Sequence, residues 1–350
     1  MKTLWYFFIK IIVKSSLFFY TKKIKVIGEE NIPHKGAVLF MVNHPNGLID
    51  PLIVAVNNPR IQHFLVRAAT FKKPLVKKFL ATLNLMPIYR IRDGFEQLSR
   101  NQKIFEQCFS ILNNQKALMI FPEGSHDKRR TIRPLSKGFS RIVFGALEKN
   151  PSLKIYIIPV GITYQNPSAY PTKVCVRYGT PIVANDYYNV NELNSEIRRL
   201  IQTISNQLKN LSVHIPADNN YSETLKKLQF ANVDFTEVDK VNTMVKSGNI
   251  LKQKVNINLL GFLKPIIIFN SIIPWLLWKY MERKNNEFEF IDTFRYGICT
   301  LTFGFFYILQ SYLMASFFNW KAGFIYLVSS LLLVLFYSKS YTNQRQLPLE

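Results

Sequence analysis

Two apolar runs that stop abruptly constrain this chain most. Ala37–Val42 leads directly into Asn43-His44-Pro45-Asn46-Gly47-Leu48-Ile49-Asp50, and Ala117–Ile120 leads into Phe121-Pro122-Glu123-Gly124-Ser125. Each run reads as a strand, and each polar motif as the loop at its end. A strand ending in histidine, then Asn-Gly turn chemistry, then Asp-Pro opening a helix brings His44 and Asp50 together. Two such motifs at strand ends, roughly 80 residues apart, predict a single site at the edge of an α/β sheet.

The sequence around them alternates between two periods. Pro51–Val56 reads as the start of a helix, Ile61–Ala68 as a strand, and Phe71–Leu83 as a basic helical stretch. Leu98, Phe105, Cys108, Phe109 and Leu112 recur at helical spacing. Ile155–Tyr164 and Val174–Tyr178 read as further strands, and Asn191–Leu211 as a helix. This β/α alternation predicts an α/β domain with a mixed sheet over residues 24–211. From Ser212 to Asn256 the composition turns polar, which predicts a linker with some helix.

The ends of the chain point to a membrane. Leu4–Tyr20 is apolar apart from Lys10 and Lys14, which share one helical face, and Lys22, Lys23 and Lys25 follow. That pattern predicts a helix within residues 1–23 lying in the membrane interface, both lysines turned to headgroups. Gly297–Phe318 and Ala322–Ser338 are each near bilayer-crossing length and only Asn319-Trp320-Lys321 separates them, so residues 295–339 read as a transmembrane helical hairpin. Arg295 before the pair, with Lys339 and Arg345 after it, puts both ends in the cytoplasm. Leu259–Tyr280 is interrupted by Lys264, Asn270 and Pro274 and has basic residues on both flanks, so residues 257–284 read as interfacial or re-entrant.

A net charge of +23 needs a partner of opposite sign. No nucleic-acid-binding signature is present, and the many aromatic residues fall inside apolar runs, which favours anionic membrane lipids over nucleic acid. Cys108, Cys175 and Cys299 are far apart in apolar contexts and form no pairing or metal-binding pattern. A reduced, cytosolic setting follows, with neither a metal nor a cofactor expected.

Four motifs in order resemble the glycerolipid acyltransferases: Asn43-His44 with Asp50, then Pro87-Ile88-Tyr89-Arg90, then Phe121-Pro122-Glu123-Gly124-Ser125, then Ile157-Ile158-Pro159-Val160-Gly161. The resemblance covers approximately Ile24 to Asn210. Five residues separate His44 from Asp50, where the bacterial lysophosphatidate enzymes usually have four. The longer spacing is more similar to the glycerol-3-phosphate and dihydroxyacetone-phosphate acyltransferases, with lysophosphatidate as the alternative acceptor. The resemblance implies direct transfer of a fatty acyl group from acyl-CoA or acyl carrier protein to a glycerol phosphate hydroxyl. It also implies that Arg90 clamps the acceptor phosphate, and that Lys137 with Gly138 occupies the family's basic position.

The residues support that chemistry on their own terms. A hydroxyl is a poor nucleophile until a base takes its proton, and the near-neutral imidazole of His44 suits that task. Asp50 either accepts the His44 Nδ1 proton or caps a helix that Pro51 opens, and its two oxygens can serve both. Arg90 offers the planar, multidentate cation a phosphate needs, whereas Arg92 reads as solvated. Glu123 either positions acceptor hydroxyls or binds an arginine, and Gly124 lets backbone N–H groups approach substrate. Ser125 lacks the Gly-x-Ser-x-Gly setting of a nucleophile and reads as a hydrogen-bonding residue. Lys137 is either a phosphate contact at a helix start or a solvated lysine. Lys128, Arg129, Arg130 and Arg133 form either a donor-phosphate contact or a membrane-facing rim, His126 reads as a surface turn residue, and Lys72, Lys73, Lys77 and Lys78 suit anionic lipid. A non-catalytic lipid-binding protein of the same fold is expected to have lost its base or clamp, whereas His44, Asp50, Arg90 and Glu123 are all present.

Overall fold

The computed structural model describes residues 1–89, 99, 101–253, 260–284 and 291–341. Its strands are β1 (Lys23–Ile27), β2 (Ala37–Val42), β3 (Gln62–Arg67), β4 (Leu85–Ile88), β5 (Ala117–Ile120), β6 (Ile155–Tyr164), β7 (Lys173–Tyr178) and β8 (Ile182–Val183). They form one sheet in the order β1-β7-β6-β2-β5-β3-β4, with β8 paired to β6. The β1/β7, β2/β5, β2/β6, β3/β4 and β3/β5 pairs are parallel, and β6 pairs antiparallel with β7 and β8. The sheet is therefore mixed.

Burial explains why the strand sequences are continuous apolar runs. A parallel strand in the middle of a sheet is covered on both faces, so neither face selects polar residues. Every residue of β2 is buried. Successive side chains then enter opposite layers. Ala37, Leu39 and Met41 join a cluster with Cys108 and Leu112 of α4 (Asn101–Asn113), with Ile142 and Val143 of α5 (Gly138–Lys149), and with Leu200 and Ile204 of α6 (Leu193–Leu211). Val38, Phe40 and Val42 pack on the other side with Ile49 and Ile53 of α2 (Ile49–Val56), and with Leu17 and Tyr20 of α1 (Lys2–Tyr20). Helix α3 (Pro74–Thr82) links β3 to β4. Because β2, β5 and β6 run parallel, the loops after Val42, Ile120 and Tyr164 all emerge at one edge.

Gly161, the last residue of the fourth motif, has a packing reason. A Cβ there would lie 2.3 Å from the Leu211 carbonyl oxygen, so glycine lets the end of α6 close onto β6.

The stretch expected as a polar linker, 212–256, instead carries a core as far as it is described. It forms α7 (Tyr221–Phe230) and α8 (Val238–Ser247), whose Leu225, Leu228, Val238, Val241 and Met244 pack with Val213, Ile215, Val233 and Cys175 of β7. Its apolar residues recur at helical spacing among many polar ones, so overall polarity masks an amphipathic pattern. Burial pushes the thiols of Cys108 and Cys175 up, to about 12 and about 11, which leaves both unreactive.

Helix α1 is tied to the α/β domain along its length. Trp5 Nε1 donates to Thr82 Oγ1 at 3.0 Å, the Tyr6 hydroxyl accepts the Gln62 N–H at 3.2 Å, and Ser16 Oγ lies 2.5 Å from the Tyr296 hydroxyl. Lys10 does not face outward as its spacing suggests: its ammonium donates to the Asn58 carbonyl at 2.6 Å. A helix on a domain surface can satisfy a lysine with a loop carbonyl, and Asn58, two residues past the end of α2, offers one. Leu4, Phe7, Phe8, Ile11 and Ile12 remain exposed on the outer face.

After the 212–253 unit come α9 (Leu263–Asn270), α10 (Ile272–Lys284), α11 (Ile291–Phe317) and α12 (Trp320–Ser340). Helices α1, α11 and α12 are each long and apolar enough to cross a membrane. Helices α11 and α12 form a tight hairpin: Ser311 Oγ donates to the Gly323 carbonyl at 2.8 Å, and a Cβ on Gly323 would lie 2.6 Å from the Ser311 carbonyl oxygen. Small residues at such a crossing let helix backbones approach closely. Helix α11 starts before Arg295, which was expected to flank it, so Asp292 and Arg295 lie inside its first turns. The break between α9 and α10 is held by this hairpin, with Tyr326 donating to Asn270 Oδ1 at 2.6 Å and Asn270 Nδ2 to Ser330 Oγ at 3.1 Å. Both ends of the hairpin return to the domain, where Lys339 donates to the Thr21 carbonyl at 2.8 Å.

Candidate active site

His44 leaves the end of β2, and Asp50 lies in the first turn of α2. His44 Nδ1 is 2.8 Å from Asp50 Oδ2. A carboxylate only accepts, so Nδ1 carries a proton, and in the neutral ring Nε2 then keeps its lone pair. The Asp50 side chain is fully buried, while that of His44 is 15% exposed. Two further donors hold the carboxylate. The Asn46 N–H reaches Oδ2 at 2.6 Å, and the Tyr164 hydroxyl reaches Oδ1 at 2.7 Å. Burial and the adjacent Asp50 carboxylate push the Tyr164 phenol well above the usual tyrosine range, so it stays a donor.

Asp50 does not cap α2. Leu48 occupies the cap position without a side-chain bond, and Asp50 and Pro51 both lie inside the helix. The Asn46–Ile49 turn begins the helix early, with the Ile49 N–H on the Asn46 carbonyl at 3.0 Å. Asp50 is thereby freed to face back toward His44.

The second motif wraps around the imidazole. The Phe121 ring stacks on His44 with centroids 4.0 Å apart and planes 24° apart, and His126 meets it edge-on at 5.6 Å. His126 is therefore beside His44, not on a surface turn. The His44 carbonyl accepts the Asp127 N–H at 3.0 Å. Asn43 joins β2 to β6 by pairing both its amide atoms with the Ile162 backbone, at 3.1 and 2.6 Å.

Arg133 organises the Glu-Gly-Ser turn. Its Nε donates to Glu123 Oε2 at 2.7 Å, one terminal nitrogen donates to Ser125 Oγ at 2.7 Å, and the other to the Ser125 carbonyl. Burial raises the Glu123 carboxyl above its ordinary value, opposed by Arg133 and by contact with the His44 backbone. Gly124 does not present its N–H to the cleft: that group donates to the Phe121 carbonyl at 3.1 Å, and glycine is needed for the turn, with φ +76°. Lys137 is exposed at the start of α5, beside this turn through the Ser136 N–H on the Pro122 carbonyl at 2.8 Å.

The basic cluster separates into distinct roles. Arg130 is buried, donates to the Tyr164 and Gln165 carbonyls at 2.9 and 2.8 Å, and lies 3.6 Å from the centre of the Phe235 ring. It ties β6 to the 212–253 unit and is not free for a phosphate. Arg129 forks onto Asp127, and Lys128 donates to Ser168 Oγ at 2.9 Å. A shallow cleft opens at His44, with Glu123, Lys128, Arg129, Thr131 and Tyr164 in its wall. Arg90 and Arg92 lie outside the described residues; Tyr89, just before them, is held by Asn101, which bonds both its backbone groups. Arg133 and Phe121 are the contributors that spacing does not single out: Arg133 sits among basic neighbours, and Phe121 is the apolar first residue of a motif whose polar residues draw the reading.

Residues 23–163 match the family model described as Acyltransferase. Glycerol-3-phosphate O-acyltransferases 1 and 2 of Saccharomyces cerevisiae are 27% and 26% identical over 115 and 119 residues, 31% and 33% of this chain. The chain spans only 15% and 16% of the length of those relatives. Among solved structures, the 1-acyl-sn-glycerophosphate acyltransferase PlsC of Thermotoga maritima aligns with TM-score 0.43 and 19% identity, covering 59% of this chain and 81% of its own. With its His44–Asp50 pair inside the matched segment, the chain is similar over residues 23–163 to the acyltransferase family model and, over a comparable length, to those yeast glycerol-3-phosphate O-acyltransferases.

Proposed function

We propose that this protein transfers a fatty acyl group from a thioester to the hydroxyl of glycerol 3-phosphate or dihydroxyacetone phosphate at a membrane surface. The observation that carries the reading is the His44–Asp50 pair, with Nδ1 engaged and Nε2 left to act as base. The acceptor oxygen attacks the thioester carbonyl as Nε2 takes its proton. The tetrahedral intermediate then collapses, the carbon–sulfur bond breaks, and the imidazolium returns the proton to the departing sulfur. Asp50 fixes the tautomer and supports the imidazolium. The acceptor phosphate needs cations near the cleft, and Arg90, by its motif position, and Lys128 and Arg129, in the wall, are the candidates. The yeast relatives' names support glycerol 3-phosphate over its acylated product.

The α11–α12 hairpin anchors the domain, with both its ends and the cleft on the cytoplasmic side, in keeping with the positive flanks. The contacts of α1 along the domain support an interfacial position for that helix, and the polar break at Asn270 supports a re-entrant α9–α10 pair. The test is direct. Purified full-length protein is given labelled acyl-CoA or acyl carrier protein with glycerol 3-phosphate, dihydroxyacetone phosphate or lysophosphatidate. Acylation of either of the first two is expected; acylation of lysophosphatidate alone overturns the acceptor assignment, and transfer to none overturns the activity.

A further inference from the structure

Asp292 begins a membrane-hairpin helix, yet its carboxylate faces the catalytic loop. Its Oδ2 accepts the Asn46 side-chain N–H at 2.7 Å, and its Oδ1 accepts the Tyr20 hydroxyl at 2.5 Å. Arg295 bonds the same carboxylate, donates Nε to the Tyr20 oxygen at 2.8 Å, and donates its terminal nitrogens to the Ser168 carbonyl at 3.2 Å. Asn46 and Asp292 are 0% and 1% exposed. Asn46 is the junction. Its side chain holds Asp292 and the Pro167 carbonyl, while its backbone N–H holds Asp50 Oδ2, the oxygen that faces His44 Nδ1. Thr293 adds a second link: its hydroxyl accepts the Leu48 N–H at 3.1 Å and lies where a Cβ on Gly47 would come within 2.6 Å.

Anchoring requires only apolar length, so it gives no reason to bury an acidic group at the head of the hairpin. A buried carboxylate is costly unless donors surround it. Here the donors come from α1, from the catalytic loop and from α11 itself, and they converge on the turn between the base and its carboxylate. We propose that Asp292 is a positioning residue for the His44–Asp50 pair, and that with Thr293 it makes the first turn of α11 part of the catalytic unit. Without Asp292 the Asn46 amide loses its charged acceptor, the turn at 45–49 gains freedom, and the Asn46 N–H no longer pins Asp50. The imidazole then spreads over orientations of which few are productive. Asp292 itself does not line the cleft, so substrate binding persists.

The test uses full-length protein in detergent micelles, and its kinetic arm rests on the acyl-transfer reading. Asp292→Ala is expected to lower kcat by about ten- to a hundredfold, with both KM values within about twofold of wild type, because misplacing a base mainly affects the transition state. Asp292→Asn keeps an acceptor oxygen for Asn46 and should recover most of that loss. Thr293→Val should lower kcat several-fold with the same Tm, and Thr293→Ser should restore it. A second arm needs no activity. The His44 Nδ1–H proton, held by a carboxylate, should give a far-downfield NMR resonance in wild type and Asp292→Asn and lose it to exchange in Asp292→Ala. Wild-type kcat in Asp292→Ala, or a loss carried wholly by KM, overturns the proposal. If Asp292→Ala does not fold, Thr293→Val decides: a several-fold loss of kcat at unchanged Tm supports the proposal, and wild-type kcat with the resonance unchanged overturns it. If wild-type protein transfers no acyl group, the resonance decides alone: its loss in Asp292→Ala supports the proposal, and its persistence there overturns it.

Discussion

His44 rests face-on against Phe121, ring centroids 4.0 Å apart, while its Nδ1 edge is held by Asp50 at 2.8 Å. Two restraints at right angles fix a ring that, in the proposed reaction, presents Nε2 to an incoming hydroxyl. His44→Ala should therefore lower kcat by on the order of a hundred- to ten-thousandfold. Phe121→Leu keeps apolar cover but loses the stack, worth about 1 kcal/mol, and should cost tenfold or less. Steady-state kinetics with circular dichroism checks both; His44→Ala within a few-fold of wild type removes the base assignment.

Asp50 accepts from His44, Asn46 and Tyr164 at once. Asp50→Asn turns one acceptor oxygen into a donor facing another donor, so kcat should fall by up to roughly ten-thousandfold. Tyr164→Phe removes a single donor, and should cost about 1 kcal/mol of stability and only a few-fold in rate. Equal rate losses in the two variants would show that Tyr164, not the carboxylate's charge, governs the site.

Arg133 holds a Glu123 carboxylate that is only 4% exposed. Arg133→Ala should destabilise the fold by about 3 kcal/mol at neutral pH, because it strands a buried charge. The sign with pH follows from burial, which already raises the Glu123 carboxyl and acts unopposed by Arg133 in the variant. A raised folded-state value favours the protonated form, so the variant loses stability as pH rises through it. Thermal unfolding at pH 5 and pH 8 checks this, with the larger gap to wild type expected at pH 8.

His214 accepts the Ile132 N–H on Nδ1 at 3.0 Å, and burial lowers its titration from 6.5 to about 4. The folded state thus prefers the neutral ring. The stabilisation is complete above pH 6.5 and is lost as pH falls through that value toward 4. His214→Asn offers an oxygen in place of Nδ1 and should flatten that acid limb. A melting-temperature profile with an unchanged slope between pH 6.5 and 4 would remove His214 from it.

Helices α11 and α12 are long and apolar enough to cross a membrane, and salt does not weaken apolar burial. Full-length protein should stay with membranes through a high-salt wash and leave only with detergent. Release by salt alone would mean that charge, screened over about 10 Å or less, holds it there.

Several features of this chain are written locally, and so legible in one dimension. Ala37–Val42, Ala117–Ile120 and Ile155–Tyr164 are continuous apolar runs, and a parallel strand covered on both faces demands that pattern. Each ends where its sequence turns polar, so the sheet edge that gathers these motifs could be placed from the chain alone, and His44 with Asp50 could be paired across an Asn-Gly turn. The apolar length of the hairpin is likewise a local property. The tertiary structure decided what depends on partners distant in sequence. Tyr164 reaches Asp50 across 114 residues, and Asn46 reaches Asp292 across 246. Arg130 and Arg133 look alike in sequence, yet one is buried against Phe235 and the other grips Glu123, because a guanidinium's role is set by the acceptors brought to it. The core within 212–253 was hidden for a related reason: its apolar residues are too sparse to stand out, and only packing against Cys175 and its neighbours gathers them. Spacing along the chain encodes periodicity and turns, whereas burial and hydrogen-bond partners exist only once the chain has closed on itself.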